Sequence, residues 1–334
     1  MSSLTSSLIR VLLRAQRLAQ RGATIESVRR ISRWTERLYS VPKDVRWEKV
    51  SRGELTYEWL IPRNVATSQV LFHIHGGGFV LPLYNPLRFT TAYLARLAGV
   101  RALLVDYRLA PEFPFPAAVE DCVKAYRWLV TDEGVPPEQV VFTGESAGGN
   151  LVVTTLLALR DAGDPLPAGG VAASPVFDFE GRGTFYTQDD PMALAAFAMM
   201  QFTAYRGHTD PHTPLLSPLY ADLRGLPPLL IQVGQSELLR SGAEAFAARA
   251  EEAGVQATLH IWPGMWHFWH LFVPWLPEAR QAMAEIKRFV HSCAPGRTAH
   301  AGRPNNSMEP TRPAGGYEVC DTGLGWPGGS SRRR

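Results

Sequence analysis

One serine of the chain stands in a setting that can make it a nucleophile. The apolar run 140–142 leads to Gly144-Glu145-Ser146-Ala147-Gly148, and a long apolar stretch, 151–159, follows. This order predicts a strand, a very tight turn at Ser146 and then a helix. The turn would strain the serine backbone and expose Oγ, and glycines two residues away on either side would avoid collisions in the bend. The Ala147 N–H would lie beside Oγ at the positive end of the helix.

A glycine-rich loop could supply the second part of a catalytic site. The run His75-Gly76-Gly77-Gly78-Phe79 directly follows a strand-like apolar segment. Successive glycines let the backbone approach a ligand and turn N–H groups towards it, so two of them with Ala147 N–H would form an oxyanion hole. Phosphate binding is disfavoured because no G-K-[ST] or G-x-G-x-x-G pattern surrounds the loop. We expect His73 and His75 to hold this loop by hydrogen bonds rather than to bind a metal.

A carboxylate that could orient a catalytic histidine follows a late strand. Glu237 comes after the buried run 229–233, at the strand end where parallel sheets carry ligand sites. A carboxylate there would fix the tautomer of an imidazole and stabilise its cationic form. The competing carboxylates are Asp222, which precedes the strand, and Glu244, which lies a turn or more into the following helix. Glu237 is therefore the preferred acid.

The preferred histidine is His267, on a loop with a Pro-Gly break after the last predicted strand. Its rivals are His260, inside that strand, and His270, one helical turn further on. The chain order Ser146, Glu237, His267 is the order nucleophile, acid, histidine that a strand–turn–helix nucleophile requires. His267 would act as general base and Ser146 would form an acyl-enzyme. Such chemistry needs no metal and no organic cofactor.

The elements that must position these residues alternate between strands and helices. Predicted strands cover 45–50, 55–61, 69–74, 101–106, 140–144, 170–176, 228–233 and 257–262, and predicted helices cover 86–98, 116–130, 151–159, 243–253 and 278–291. This alternation predicts an α/β fold with a mostly parallel eight-stranded sheet flanked by helices.

Three further segments lie outside the alternation. Residues 1–40 are predicted to form a helical cap, because apolar residues and arginines recur there at helical spacing. We expect the apolar face of the first helix to pack on the main domain, 41–292; attachment to an anionic membrane surface is the alternative. The Met- and Phe-rich excursion at about 179–226 is expected to extend the cap and line an apolar pocket. Residues 293–334 lack apolar periodicity and are predicted to be a disordered tail.

Composition and charge exclude several classes of partner. The net charge of +3 arises at the ends of the chain, since residues 1–37 carry eight arginines against two acids. The body is acidic, so no nucleic-acid partner is expected. Three scattered cysteines form neither a metal-ligand pattern nor a disulfide framework, which favours a cytoplasmic protein. No stretch approaches the roughly 20 apolar residues of a membrane span, so stable membrane insertion is not expected.

Three motifs together resemble the hormone-sensitive-lipase-like family of α/β-hydrolases, also called bacterial esterase family IV. They are His75-Gly76-Gly77-Gly78-Phe79, Asp106-Tyr107-Arg108-Leu109-Ala110-Pro111-Glu112 and Gly144-Glu145-Ser146-Ala147-Gly148-Gly149-Asn150. The resemblance, over about residues 40–292, implies an α/β-hydrolase fold with an N-terminal helical cap. It also implies a carboxylesterase for short- to medium-chain acyl esters, with oxyanion donors at Gly77, Gly78 and Ala147. Because many members are dimers, it implies a homodimer, for which we expect sheet pairing at strand 257–262.

Two positions depart from the family pattern. Glu145 stands where the family commonly has Asp, and the run Glu237-Leu238-Leu239-Arg240-Ser241 stands where D-x-L-x-D is common. The leading prediction remains a serine carboxylesterase. The alternatives are an amide or peptide hydrolase, a membrane-surface lipase, and a non-catalytic ligand receptor, which the presence of His267 disfavours.

Overall fold

An eight-stranded sheet forms the centre of the protein in the computed structural model, which describes residues 3–19, 22–53 and 55–295. The strands are β1 Val45–Arg52, β2 Leu55–Pro62, β3 Val70–Ile74, β4 Arg101–Asp106, β5 Val140–Glu145, β6 Gly169–Ala173, β7 Leu229–Gly234 and β8 Ala257–Trp262. Their order is β1-β2-β4-β3-β5-β6-β7-β8. β2 runs antiparallel to both neighbours, and the other pairs are parallel. The predicted mostly parallel sheet is confirmed.

Helices cover both faces of this sheet. They are α1 Leu4–Ala19, α2 Ile25–Thr35, α3 Asn85–Ala98, α4 Ala117–Thr131, α5 Ala147–Ala162, α6 Thr184–Thr187, α7 Ala195–Arg206, α8 Arg240–Glu252 and α9 Pro277–Ser292. Successive side chains of a strand point to opposite faces, and Phe72 and Leu71 accordingly belong to two different hydrophobic clusters. One cluster includes apolar residues of α4, α5 and α8, and the other includes residues of α3 and α9.

The register of the central strands brings the two predicted catalytic motifs to one edge. β3 pairs in parallel with β5, and Ile74 lies opposite Gly144. Both strands therefore end at the same level, and the glycine loop after β3 begins beside the turn after β5. β7 ends at Gly234 on the same side, because β5, β6 and β7 are parallel. The sheet thus delivers its loops to one site.

α1 meets the rest of the protein with a face that carries arginines together with the buried Leu13. The guanidinium of Arg10 donates to Ser236 Oγ and to the Gly264 carbonyl, and Arg17 forms an ion pair with Asp189. Four apolar side chains of α1 are instead exposed: Leu4, Leu8, Val11 and Leu12. The expectation that the apolar face packs on the main domain is therefore wrong. The neighbouring loops present oxygen acceptors, which arginines satisfy and leucines cannot.

The excursion 179–226 contains α6, α7 and connecting turns. Its aromatic residues Phe179, Phe185 and Phe202 are buried in contact with one another. Tyr205 of α7 stacks on Phe79 of the glycine loop, with ring centroids 3.8 Å apart. The excursion therefore packs directly against the loop that follows β3.

Two remaining expectations concern membranes and the tail. Across the described ranges, no helix combines the length and the apolar character that a membrane crossing requires. From residue 296 onwards the predicted tail, 293–334, lies outside the described residues.

Candidate active site

Ser146 occupies a strained turn between β5 and α5. Its φ of 54° and ψ of −116° lie in a region that residues other than glycine rarely adopt. A Cβ added at Gly148 would lie 1.9 Å from the Ile74 carbonyl oxygen, and one added at Gly144 would lie 2.5 Å from the Gly148 carbonyl oxygen. Glycine is required at both positions because backbone atoms of β3 and of the first turn of α5 lie so close to the turn.

The structure brings the three predicted catalytic side chains together. His267 Nε2 lies 3.0 Å from Ser146 Oγ, and His267 Nδ1 lies 3.2 Å from Glu237 Oε2. The three residues are far apart in sequence, and they follow three different strands of the sheet. The arrangement has the hydrogen-bonded geometry that lets a histidine remove a proton from a serine while a carboxylate orients its ring.

Glu237 is fully buried, and both of its carboxylate oxygens have partners. Oε1 accepts hydrogen bonds from Gly234 N–H at 2.8 Å and from Ser174 Oγ at 2.6 Å, and Oε2 faces His267. These bonds compensate the cost of burying a charge. They also fix the carboxylate on the end of β7, so the orientation of His267 is set by the sheet itself.

The competing residues are engaged elsewhere. Asp222 forms an ion pair with Arg224, and Glu244 forms one with Arg240. Among the histidines, His260 pairs with Glu285, and His270 Nε2 lies 2.8 Å from Gln232 Oε1. Burial lowers the pKa of His270 to about 3, so it stays neutral at ordinary pH.

The pKa of His267 lies above its ordinary value of 6.5. Burial, the largest single influence, would lower this pKa, but the hydrogen bond and charge of Glu237 and the charges of other nearby carboxylates together outweigh it. These other carboxylates are Asp190 and Glu145. The site therefore favours the imidazolium form, which is the form a general base acquires during the reaction.

Glu145 and two histidines hold the glycine loop. Gly76 N–H donates to Glu145 Oε1 at 2.8 Å, and Glu145 Oε2 lies 3.2 Å from His73 Nε2. The His75 ring stacks on Tyr107 at 4.3 Å, and the Tyr107 hydroxyl donates to the His75 carbonyl oxygen. These contacts match the expected loop-holding role. Within the described residues, no cluster of three or more His, Cys, Asp or Glu side chains could hold a metal ion.

The three predicted oxyanion donors lie on the glycine loop and at the start of α5. Gly77 and Gly78 have φ angles of 119° and 62°, which favour glycine. As far as the chain is described, neither of their N–H groups donates a hydrogen bond to the protein. Ala147 is the first residue of α5, so its N–H is one of the unpaired donors of a helix N-terminus.

Two residues at this site were not predicted from the sequence. Ser174 has a φ of 49°, donates to Glu237 and accepts a hydrogen bond from Phe268 N–H at 3.0 Å. Asp190 is buried, and its Oδ2 accepts from His267 N–H at 3.2 Å. Each precedes a proline, which is a weak signal for an ordered turn. Neither belongs to a motif with a known catalytic spacing.

Known proteins resemble this chain in both sequence and structure. A family model described as the alpha/beta hydrolase fold matches residues 71–271. An acetyl-hydrolase of Streptomyces hygroscopicus is 42% identical over 246 residues, which are 73% of this chain and 82% of that protein. An esterase of Acinetobacter venetianus is 34% identical over 236 residues, covering 70% of this chain and 78% of that protein. A solved esterase of the bacterial hormone-sensitive lipase family is 41% identical, with a TM-score of 0.82, and covers 87% of this chain and 99% of that one.

Proposed function

Because the chain belongs to the α/β-hydrolases, in the bacterial hormone-sensitive lipase family, and is a carboxylic ester hydrolase, we propose that it acts through a serine mechanism on short- to medium-chain acyl esters. The observation that carries this proposal is the hydrogen-bonded series Ser146, His267, Glu237, with contacts of 3.0 Å and 3.2 Å. The strained backbone of Ser146 supports it further, because that conformation exposes Oγ at the edge of the sheet.

In the acylation step, His267 Nε2 takes the proton of Ser146 Oγ as the oxygen attacks the ester carbonyl carbon. The carbonyl π bond breaks, and its electron pair stays on the oxygen of the tetrahedral intermediate. Gly77, Gly78 and Ala147 N–H groups stabilise that oxyanion. As the intermediate collapses, His267 returns the proton to the leaving alkoxide, and the alcohol departs.

In the deacylation step, water attacks the acyl-enzyme with the same base. His267 takes a proton from the water, and a second tetrahedral intermediate forms in the same oxyanion hole. Its collapse releases the carboxylic acid and returns the proton to Ser146 Oγ. Glu237 orients the imidazole ring and stabilises the imidazolium.

Two similar proteins support the proposed preference for short acyl chains. One relative is named an acetyl-hydrolase. A solved esterase structure, soaked with p-nitrophenyl butyrate, is 35% identical to this chain with a TM-score of 0.81. Within this protein, Gln201 of α7 packs directly on Gly78, where an added Cβ would lie 2.3 Å from its side chain. Such close packing leaves little room beside the glycine loop.

The test is hydrolysis of p-nitrophenyl esters from acetate to palmitate by the wild type and by Ser146→Ala. We expect activity to peak at short chains and to vanish in the variant. A peak at palmitate would contradict the acyl preference, and full activity of Ser146→Ala would contradict the nucleophile. An acyl anilide series with the same enzyme separates an esterase from an amide hydrolase, because the leaving amine needs protonation more strongly.

We propose that residues 1–40 and about 179–226 together cap the catalytic domain, 41–292. Arg17 of α1 donates to the Asp190 carbonyl oxygen at 2.7 Å, and Tyr205 stacks on Phe79. Tyr205→Ala is expected to shift the preferred acyl length. Tyr205→Phe is the control, because the buried Tyr205 hydroxyl has no hydrogen-bond partner in the described part of the protein. Equal acyl profiles for both variants would contradict the cap.

Attachment to an anionic membrane surface is a second candidate, favoured by the outward apolar face of α1. Leu4 and Leu8 are 91% and 64% exposed, and an amphipathic helix with such a face can lie in a lipid interface. Co-sedimentation with anionic liposomes, comparing the wild type with Leu8→Gln, tests it. Equal recovery of both proteins in the supernatant would exclude this role.

We also propose a homodimer formed through β8. This strand lies at one edge of the sheet, so its outer backbone groups are available for pairing with a second copy. Light scattering after size-exclusion chromatography tests the proposal. A mass near 36.9 kDa, that of one chain, would contradict it.

We propose a cytoplasmic location because two cysteines of the described chain are free thiols. Cys122 and Cys293 are both free thiols, and Cys122 is buried. Free thiols persist in a reducing compartment. Fractionation of cells that express a tagged chain tests this location, and recovery outside the cytoplasmic fraction would contradict it.

A further inference from the structure

Asp190 is a buried carboxyl group beside the catalytic histidine that the mechanism above does not use. It lies between α6 and α7, in the excursion, and its side chain is fully inaccessible. Oδ1 accepts from Met192 N–H at 2.9 Å and from Ala193 N–H at 3.3 Å, and Oδ2 accepts from His267 N–H at 3.2 Å. One carboxylate thus joins its own turn to the backbone of the catalytic base.

Within the part of the chain that the structure describes, the charge of Asp190 has no direct ion-pair partner. Among the described residues, no arginine, lysine or histidine side chain lies within ion-pair distance of its carboxylate. Arg17 instead bonds the Asp190 carbonyl oxygen and pairs with neighbouring Asp189. A buried carboxylate without a cation is costly. Such groups occur preferentially where they serve a function.

The backbone N–H groups of His267 and of the next residue, Phe268, are held by side chains from other segments. His267 N–H is bonded to Asp190, and Phe268 N–H is bonded to Ser174 Oγ at 3.0 Å. Phe268 itself has a φ of 51°, and no helix or strand includes His267. The loop therefore depends on these two acceptors for its conformation. A shift of about 1 Å at a reacting group can cost on the order of 100-fold in rate.

We propose that Asp190 is a positioning residue for the catalytic base: its carboxylate fixes the backbone of His267 and so aims the imidazole at Ser146. This inference rests on the proposed function, in which His267 is the base. Because Arg17 bonds the Asp190 carbonyl oxygen, the proposal also gives α1 a contact with the base through a single residue.

Asp190 acts on His267 through its charge as well as through its hydrogen bond. The charged groups that face Asp190 are His267, Glu237 and Arg10, and those that face His267 are Glu237, Asp190 and Glu145. Burial raises the pKa of Asp190 to about 6, with His267 opposing and Glu237 adding to the shift. Since Asp190 raises the pKa of His267, removal of its charge lowers that pKa.

The test compares Asp190→Asn with Asp189→Asn across a pH series on p-nitrophenyl butyrate. Asp189 is the matched control, because it is the adjacent carboxylate and it pairs with Arg14 and Arg17 on the surface. For Asp190→Asn we expect kcat to fall by about 10-fold or more with KM changed by less than about 3-fold, as a loss confined to the transition state requires. The acid limb of its pH profile, where activity rises with pH, should also move to lower pH. Asp189→Asn should stay within about 2-fold of the wild type, with the limb in place.

Equal kinetics and equal acid limbs for the two variants would overturn the proposal. An inactive wild type, or an active Ser146→Ala, would instead overturn the proposed function, so the two failures are distinguishable. Should circular dichroism show Asp190→Asn to be unfolded, Asp190→Glu decides, because it keeps the carboxylate but moves it by one methylene. A kcat of Asp190→Glu within about 2-fold of the wild type would refute the positioning role of Asp190.

Discussion

Ser146 and His267 meet at 3.0 Å, yet the protein holds them in place by different means. Ser146 is held by backbone: it joins β5 at the centre of the sheet to α5, and its N–H donates to the Ala173 carbonyl oxygen. His267 lies outside regular structure, and its loop is held by side chains of Ser174, Asp190 and Glu237. We refer to these two regions as the nucleophile side and the base side.

The difference predicts how each side responds to change. On the nucleophile side, close backbone contacts leave no space, so the loss of one glycine should abolish the site. On the base side, several hydrogen bonds share the task of positioning, so the loss of one should reduce activity without abolishing it. The four predictions below test this distinction.

The largest effect is expected from Gly148→Ala. Its Cβ would lie 1.9 Å from the Ile74 carbonyl oxygen, and the backbone of β3 cannot yield without disturbing the sheet. We expect no detectable activity and a loss of stability above the roughly 1–3 kcal/mol typical of overpacking. Hydrolysis of p-nitrophenyl butyrate and thermal unfolding measure both.

Gly149→Ala is the matched control for this change. Gly149 is the next residue of α5, but its Cβ would lie no closer than 3.1 Å to Pro175 Cβ, 3.2 Å to Pro175 Cα and 3.4 Å to the Ala173 carbonyl oxygen. Neighbours at these distances need to shift by only a few tenths of an ångström, whereas a contact of 1.9 Å requires a much larger displacement of a packed strand. Activity of Gly148→Ala equal to that of Gly149→Ala would contradict the account of the nucleophile side.

The same distinction explains how much of the molecule could be predicted from its sequence. A site held by backbone contacts needs particular residue types at fixed spacing. Gly144, Ser146 and Gly148 therefore form a motif that is recognisable in the sequence. The strands were predictable because their apolar runs are buried on both faces of the sheet. The chain order of Ser146, Glu237 and His267 follows from the same fold.

The base side could not be predicted to the same extent. Ser174 is hydrogen-bonded to Glu237 and Phe268, and Asp190 is hydrogen-bonded to His267. These partners lie far away in sequence, and no local spacing encodes such contacts. The orientation of α1 was predicted wrongly for a related reason. Its periodicity defines an apolar face, but the oxygen acceptors on the neighbouring loops decide which face turns inward.

A second, smaller effect is expected from Ser174→Ala on the base side. This change removes the hydrogen bond to Glu237 and the acceptor of Phe268 N–H. A hydrogen bond to a charged group contributes about 1.5–3 kcal/mol, so we expect kcat/KM to fall by about 10- to 100-fold. Thr90→Val is the control, since it removes a buried hydroxyl that donates to Pro86 within α3. Equal rates for the two variants would show that Ser174 does not position the base.

A third prediction concerns the pH profile of the wild type. Because His267, the proposed base, can accept a proton only when neutral, kcat/KM should rise as the pH passes through the pKa of His267. Burial lowers that pKa, but the hydrogen bond and charge of Glu237, with the charges of Asp190 and Glu145, raise it above 6.5. The midpoint of the acid limb should therefore lie above pH 6.5. A midpoint below pH 6 would mean that Glu237 does not stabilise the imidazolium.

The smallest effect is expected on α1, where two adjacent leucines differ in burial. Leu12 is 61% exposed and Leu13 is 7% exposed. Glutamine has a helix propensity close to that of leucine, so Leu12→Gln should change stability by less than about 0.5 kcal/mol. Leu13→Gln loses the burial of a leucine side chain, about 1.5–3 kcal/mol, which should lower the melting temperature by several degrees. Neither variant should change kcat, because the hydrogen bonds that hold His267 come from Ser146, Asp190 and Glu237. If Leu12→Gln were the more destabilising change, the apolar face of α1 would pack inward, and the polar attachment to the base side would be wrong.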